Sequence, residues 1–458
     1  MIRIFFLRFS IFLLFFINRP LLQEIPNEFI EFKKIKLRND NGYNWDEISS
    51  FGPIRYQNKL IENDSLNIKS RFGLSLTEKN KSINTFGHFT FKKYFHGYLY
   101  LRIVDKPETF SRYSGIPRDI NRAGFTSGET DLSGITYEKD WMTIQFGRGR
   151  QSWGTGNDIQ LAISEKSASY DFGMLDLDFE HLKVRYFHGY LESDSAQVNR
   201  YITGRGIEWK NKKNLLISLS EIIIYTGKNR NIDFAYFNPI STHLEIELNQ
   251  RQNTLNSDSG NGVWQASFDY LTKKKNRISF NYMFDEFIFD KTQIKEGKEN
   301  FNAFSLRGTW SPFDLDKNIF FFYLSYVKIA DNTFRHEDGN NNFIQRNKPL
   351  GYYLGSDLKV LNIGFNGFFK NQILTKVTFM DKSIGDNSII NSPYRPYDFS
   401  DPYKTVGSSF YLKGDFQWWL KKNFSLFLDF EYPLNSKNKR NSTFNVGLEL
   451  YSKFIGAL

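Results

Sequence analysis

The apolar positions of this chain recur every second residue. In "FSLFLDFEY", Phe424, Leu426, Leu428, Phe430 and Tyr432 share one face, while Ser425, Asp429 and Glu431 share the other with Phe427. "FNVGLELY" sets Phe444, Val446, Leu448 and Leu450 against Asn445, Gly447, Glu449 and Tyr451. "RISFNYMFDEF" aligns Ile278, Phe280, Tyr282 and Phe284, and "RFGLSLT" aligns Phe72, Leu74 and Leu76. Period two belongs to a strand, whose successive side chains point to opposite faces. Eighteen strands are predicted, over 66–77, 83–94, 97–104, 132–138, 141–147, 173–179, 181–190, 202–209, 215–223, 264–271, 277–285, 301–310, 318–328, 355–369, 372–380, 406–418, 422–431 and 443–453.

A soluble sandwich and a membrane barrel share this alternation, so the connections decide. From the third strand onward they alternate. "EKD", "WKNKKN", "LTKKKN", "SPFDLDK", "KN" and "KK" are short, whereas 105–131, 148–172, 191–201, 224–263, 286–300, 329–354, 381–405 and 432–442 are long. Short periplasmic turns and long outer loops sort this way in outer-membrane barrels, and an even count leaves both termini on the short-turn side. That parity depends on "GMLDLDF" being a strand. After the N-terminus, no segment approaches the roughly 20 apolar residues of a membrane helix. In lipid every backbone N–H and C=O must be paired, which strands achieve only by closing on themselves. The predicted fold class is all-β: a transmembrane antiparallel β-barrel of about 18 strands, with long outer loops partly plugging the lumen. Trp141, Trp209, Trp310, Trp418 and Trp419 lie near strand ends, as interfacial girdles require, although a soluble core also uses such residues.

The N-terminus, "MIRIFFLRFSIFLLFFINRPLLQ", places Arg3 and Arg8 ahead of the apolar run Phe9 to Ile17, too short to span a bilayer and patterned as a secretory signal. The expected division is a signal peptide over 1–23, an N-terminal periplasmic segment over 24–65 and the barrel over 66–458. Composition agrees with export into a membrane. Mean hydropathy is −0.48, yet aromatics reach 17% and Phe alone contributes 47 residues. Polar and aromatic surface must therefore interleave. There is no Cys, which excludes disulfide, thiol and lipoprotein chemistry. The net charge of +10 falls to +7 when the three Arg of residues 1–23 are removed. Such an excess suits anionic lipid or acidic polysaccharide, and equally plain solvation. Without a clustered basic helix it argues against nucleic acid.

The stretch "FGRGRQSWGTGND", Phe146 to Asp158, holds four glycines, two arginines and a tryptophan. It fits no phosphate loop: Gly154 is followed by Thr155 and Gly156 rather than Lys and Ser or Thr, and Gly147 and Gly149 are followed by Ser152 where a third Gly is needed. Positive φ at Gly147, Gly149, Gly154 and Gly156 would turn the chain inward at the rim as a plug. Arg148 and Arg150 could then grip a polyanion, and Trp153 could stack on a sugar ring. The six histidines form no metal-ligand pattern, no GxSxG elbow occurs and no carboxylate pair stands out, so the reading is not an enzyme, with neither cofactor nor metal. "ISTHLEIELNQ" alternates at Leu244, Ile246 and Leu248, but Ile240, His243, Leu244 and Glu247 also allow a short helix above the pore. "SPYRPYDFSDPY" is rich in Tyr, Pro and Asp and could display aromatics, with Asp398 and Asp401 as calcium ligands.

Two loops resemble the Wzi family of capsule-assembly proteins. The first carries Gly149 and Arg150, Trp153 to Gly156, Leu161 to Ser164 and Asp171; the second carries Glu221, Tyr225, Gly227 and then Tyr236, Phe237, Asn238 and Pro239. "GVWQASFDYLTKKKNRISFNYMFDEF" is similar to the hairpin that follows in the family, so the likeness covers residues 141 to 287. Thr155 stands where the family commonly has Pro, and "SEKSASYD" replaces an Asn-rich turn. The resemblance implies an 18-stranded barrel of a Gram-negative outer membrane, exposed at the cell surface and blocked by its outer loops, that binds capsular or exopolysaccharide and helps organise capsule. Its implied partners are that polysaccharide, outer-membrane lipid and lipopolysaccharide, and the polysaccharide export machinery. The expected ligand-binding residues are Arg148, Arg150, Trp153, Asp158, Tyr236 and Asn238. The competing reading is a porin for small solutes.

Overall fold

The computed structural model describes residues 21–23, 26, 28–42, 45–53, 56–58, 66–92, 94–110, 112–118, 123–253, 260–272, 276–286, 301–312, 318–397, 407–435 and 442–457. Residues 1–20 of the expected signal over 1–23, residues 287–300 of the connection expected over 286–300, and the calcium candidates Asp398 and Asp401 lie outside these. Alternation becomes a single antiparallel sheet. Its strands are β1 (Asn67–Thr77), β2 (Lys81–Phe91), β3 (Phe95–Val104), β4 (Ser127–Lys139), β5 (Met142–Gly149), β6 (Tyr170–Asp178), β7 (Leu182–Ser193), β8 (Val198–Lys210) and β9 (Leu215–Lys228). They continue as β10 (Asn261–Leu271), β11 (Arg277–Glu286), β12 (Phe301–Trp310), β13 (Ile319–Ile329), β14 (Leu358–Phe369), β15 (Ile373–Ile384), β16 (Ser409–Lys421), β17 (Phe424–Pro433) and β18 (Thr443–Ala457). Each strand pairs with the next, and β18 closes on β1 with Leu450 opposite Leu74. Closure leaves no unpaired sheet edge in lipid.

Strand number, order and parity are as the alternation predicts. "GMLDLDF" lies within β6, between β5 and β7. The connection expected to be long over 191–201 is instead the turn 194–197, because the Asp194 carboxylate accepts from Ala196 N (2.9 Å) and Val198 N (2.8 Å) and folds the chain straight back. Trp141, Trp209, Trp310 and Trp418 are exposed, all near the short-turn ends of their strands. Trp419 is 4% exposed, because period two sends it inward onto Phe368.

An 18-stranded barrel is wide enough to hold water; here protein fills much of it. One hydrophobic cluster joins wall residues Phe187, Ile202, Ile222, Val263, Met283, Val327 and Val360 to the loop residues Trp153, Ile159, Leu161, Ile163, Phe343 and Leu350. The loop 150–169, after β5, crosses the lumen as a plug. Its irregular backbone is satisfied by wall side chains: Asn281 accepts from Thr155 N (2.7 Å) and donates to Thr155 O (2.9 Å), and Ser305 donates to Ile159 O (2.8 Å). Gly154 (φ 120°) and Gly156 (φ 74°) supply the sharp turns, while Gly147 and Gly149 lie in extended β5. The loop 330–357 packs on the plug so closely that a Cβ at Gly351 would collide with the Leu161 carbonyl oxygen.

Part of the segment expected to be periplasmic enters the lumen. Helix α1 (Ile30–Asp40) spans it from the β1–β3 wall, where Arg71 faces Glu31 and Arg102 faces Glu28, to the β11–β12 wall. At its C-terminus Arg277 donates to Asn39 O (2.5 Å), Thr309 donates to Asp40 O (2.9 Å) and Arg307 pairs with Asp40 (2.5 Å). Cations placed there satisfy terminal carbonyls and oppose the negative end of the helix. Leu37 packs with Phe321, Tyr323 and Trp419. Farther along, Phe51–Gly52 pairs with Ser152–Trp153 and stitches this segment to the plug.

Candidate functional site in the lumen

Asp158 is the point where helix, plug and wall meet. Its left-handed backbone (φ 62°), tolerated by Asp, aims its carboxylate between Lys36 (2.8 Å) on α1 and Lys376 (3.1 Å) on β15, with Lys166 at 4.0 Å. Lys36 also pairs with Glu165 (2.5 Å). Burial would raise the Asp158 carboxyl, but the lysines outweigh it and hold it well below the usual range. Burial would likewise lower Lys36, and Asp158 and Glu165 raise it instead. Lys166 loses this contest: its depth in the lumen and its neighbour Lys36 pull it down to about 8. Although 45% of that side chain is in contact with water, the surrounding protein still penalises the charge.

Above this knot, a cavity of about 610 Å³ lies between strands β13–β17 and the outer loops. It is lined by six cations (Arg112, Lys166, Arg307, Lys348, Lys376 and Lys413) and three carboxylates (Asp158, Asp415 and Asp429), and Arg112, Arg307 and Lys413 are further paired with Glu28, Asp40 and Glu431 around it. Tyr352 and Tyr353 add an aromatic wall, with ring centroids 5.1 Å apart and Tyr353 exposed. Lys413 pairs with Glu431 (2.8 Å), which also faces Lys382 (3.8 Å). The arrangement offers flexible ammonium groups beside a ring face, as a saccharide bearing carboxylates requires. Among the described residues, no group of three or more potential ligands is placed to hold a metal ion.

The six residues expected to bind ligand do not come together. Trp153 is 0% exposed, its ring held between Phe51 (4.8 Å) and Phe187 (5.2 Å), which leaves no face for a sugar. Arg150 is buried on Asp131 (2.5 Å) and donates to Ser167 O (2.8 Å). Arg148 points to the outside of the barrel near the outer rim, paired with Asp171 (3.1 Å). Tyr236 is buried against Tyr225 (4.5 Å), and exposed Asn238 accepts from Arg205 through its carbonyl (3.1 Å); both lie on the outer wall, away from the lumen. Asp158 alone lines the cavity. The short helix expected above the pore forms over His243–Leu248, but lies on that same outer wall. Sequence reasoning missed Lys376, Lys413 and Tyr353. Lys376 and Lys413 carried a usable signal, since each is charged and shares a strand face with inward residues.

The chain matches no family model, and no curated protein matches it in sequence. Among solved structures it is similar to Wzi of Escherichia coli, an outer membrane protein involved in group 1 capsule assembly and described as a carbohydrate-binding β-barrel. The TM-score is 0.64 at 12% identity, over 94% of this chain and 99% of that one. OprD of Pseudomonas aeruginosa aligns with a TM-score of 0.45 at 11% identity, over 88% and 97%. OpdK of the same organism gives 0.47 at 7%, over 86% and 98%. At such identities the likeness to Wzi is one of fold, and that fold is an 18-stranded outer-membrane β-barrel.

Proposed function

We propose that this protein binds capsular or other exported polysaccharide at the outer face of the membrane, as an attachment barrel rather than an open channel. The observation that carries the reading is the hydrophobic cluster inside the lumen, which joins plug and wall across a barrel otherwise wide enough for water. The tyrosine-walled cavity with its four lysines supports an acidic saccharide as ligand, and the carbohydrate binding described for Wzi supports a saccharide in general. Asp158 is a positioning residue that holds Lys376 at the cavity floor. Arg150 and Trp153 act by shaping the plug. A repeating polymer needs only weak contacts, since many sites along it add by multivalency.

The test is saturable binding of purified protein to polysaccharide from its own cells, comparing wild type with Lys413→Glu and Tyr353→Ala. Folding is checked by heat-modifiable gel mobility. Weaker binding by variants that still fold is the expected result. A folded wild type that binds no polysaccharide removes the proposal.

A further inference from the structure

The outward faces of β7, β8 and β9 carry a polar notch where lipid should lie. Outward positions at the lower ends of these strands are apolar and exposed: Leu182, Ile207, Trp209, Ile217 and Leu219. One step higher in the same registers, Tyr186 stands opposite Arg205 and Arg205 opposite Glu221, with the Arg205 and Glu221 side chains 3.3 Å apart. The flanking residues of this row, Leu175 and Trp264, are apolar. A charge facing hydrocarbon at mid-barrel height is strongly unfavourable. These charges are nonetheless buried, because the chain after β9 turns back down the outside of the barrel and covers them.

The cover is specific. Asn238 O accepts from Arg205 (3.1 Å), Tyr236 O accepts from Tyr186 (3.2 Å), and His243 N donates to Glu221 (3.0 Å). Tyr236 stacks on Tyr225 at 4.5 Å, and Tyr225 on Tyr201 at 5.0 Å. Gly262 is required here: a Cβ would meet the His243 ring at 2.5 Å. With these hydrogen-bonding groups turned to the wall, the flap presents Ile232, Phe234 (80% exposed), Phe237, Ile240 (86%), Leu244 and Leu248 (75%) outward, and its exposed polar residues Asn231, Asn238, Asn249 and Gln250 lie between and beside them. The exposed Ile207 and Leu219, paired with each other, stand two residues from Arg205 and Glu221 on the same outward strand faces. A water-facing loop has no reason to sort its residues this way.

We propose that residues 230–250 form a flap inserted in the outer leaflet, with acyl chains packed against Phe234, Ile240, Leu244 and Leu248. The flap shields the Arg205–Glu221 pair and extends the lipid-facing band over a stretch where the strands themselves cannot. Apolar faces of this kind sit at the boundary between headgroups and acyl chains. The salt-bridged Glu245 and Arg251 (2.6 Å), both exposed, provide its polar edge.

The absence of Cys makes the test direct. Single variants Ile240→Cys, Leu244→Cys and Leu248→Cys carry a nitroxide in the full-length barrel, reconstituted in phosphatidylcholine vesicles, with Ser195→Cys, exposed in an outer turn, as the aqueous control. Folded barrels alone are compared, selected by heat-modifiable mobility. The expected result is strong relaxation by oxygen and loss of relaxation by a water-soluble nickel chelate at the three flap positions, with the reverse at 195. Nickel access at 240, 244 and 248 equal to the control overturns the inference. So does dipolar broadening between labels on different molecules, which would assign the face to a second copy of the chain. Polysaccharide binding is not read in this experiment, so the inference stands or falls apart from that function.

Discussion

An indole with both faces occupied is a structural residue, and Trp153 is in that position. Phe51 and Phe187 enclose it at the centre of the lumen cluster, so Trp153→Ala is expected to destabilise the barrel by about 3–5 kcal/mol. The shift in the urea midpoint of heat-modifiable mobility measures it. Tyr353→Ala, at the exposed cavity wall, should leave that midpoint nearly unchanged. Lys166 makes the opposite kind of prediction. Its folded pKa of about 8 lies below the ordinary lysine value of 10.5, so burial destabilises the folded protein while Lys166 is charged, and the penalty disappears as pH rises from about 8 to about 10.5. Binding follows the reverse course, since the folded cavity loses a cation as pH rises through about 8. Affinity for an acidic polysaccharide should therefore fall through pH 8, and Lys166→Gln should remove that step from the binding profile.

Among the elements, strands were legible and the use of their two faces was legible only in part. Period two gave the strands and parity, and parity alone suffices to send Trp418 outward and Trp419 inward. Arg205 among Ile207 and Trp209, and Glu221 among Ile217 and Leu219, were equally visible as charges on an outward face. Their meaning was hidden because it depends on residues 22 and 33 positions later, His243 over Glu221 and Asn238 over Arg205, folding back over them. Helix α1 was legible only as a short helix or an extended tail without a place in the fold, for a related reason: "IEFKKIKLRND" has no clean apolar stripe, since it lies among both aromatic and charged lumen groups. Trp153 and its glycines marked the plug, but a glycine-rich loop does not reveal whether its indole points into protein or toward ligand. The outward pair gives a test at this scale. Removing one member leaves an uncompensated buried charge, so Glu221→Leu is expected to cost about 3–5 kcal/mol. The double variant Arg205→Met with Glu221→Leu should recover most of that loss in a double-mutant cycle on the same urea transition.

For the whole molecule, two barriers act at different places in the lumen. The plug and the loop 330–357 join the β7–β15 walls through an apolar core. Helix α1 lies against the β1–β3 and β11–β16 walls and meets the plug through polar groups, chiefly Lys36 with Asp158 and Glu165, while Phe51 farther along the same segment packs on Trp153. The barriers are therefore coupled by charge and sealed by hydrophobic packing, and they should fail separately. In planar bilayers the wild type is expected to pass little current. Deleting 152–168 removes the apolar seal and the Asp158 anchor together, and should give large, steady openings if the barrel still closes, which heat-modifiable mobility reports. Asp158→Asn cuts only the coupling. It should give brief openings while the apolar core persists, and wild type should acquire the same openings only in acid. The carboxylate's folded pKa is depressed, so its contribution is complete above about pH 4 and is lost as pH falls further. Steady current through unaltered protein at neutral pH would instead mean that the core around Trp153 does not seal the lumen, and would favour a porin over an attachment barrel.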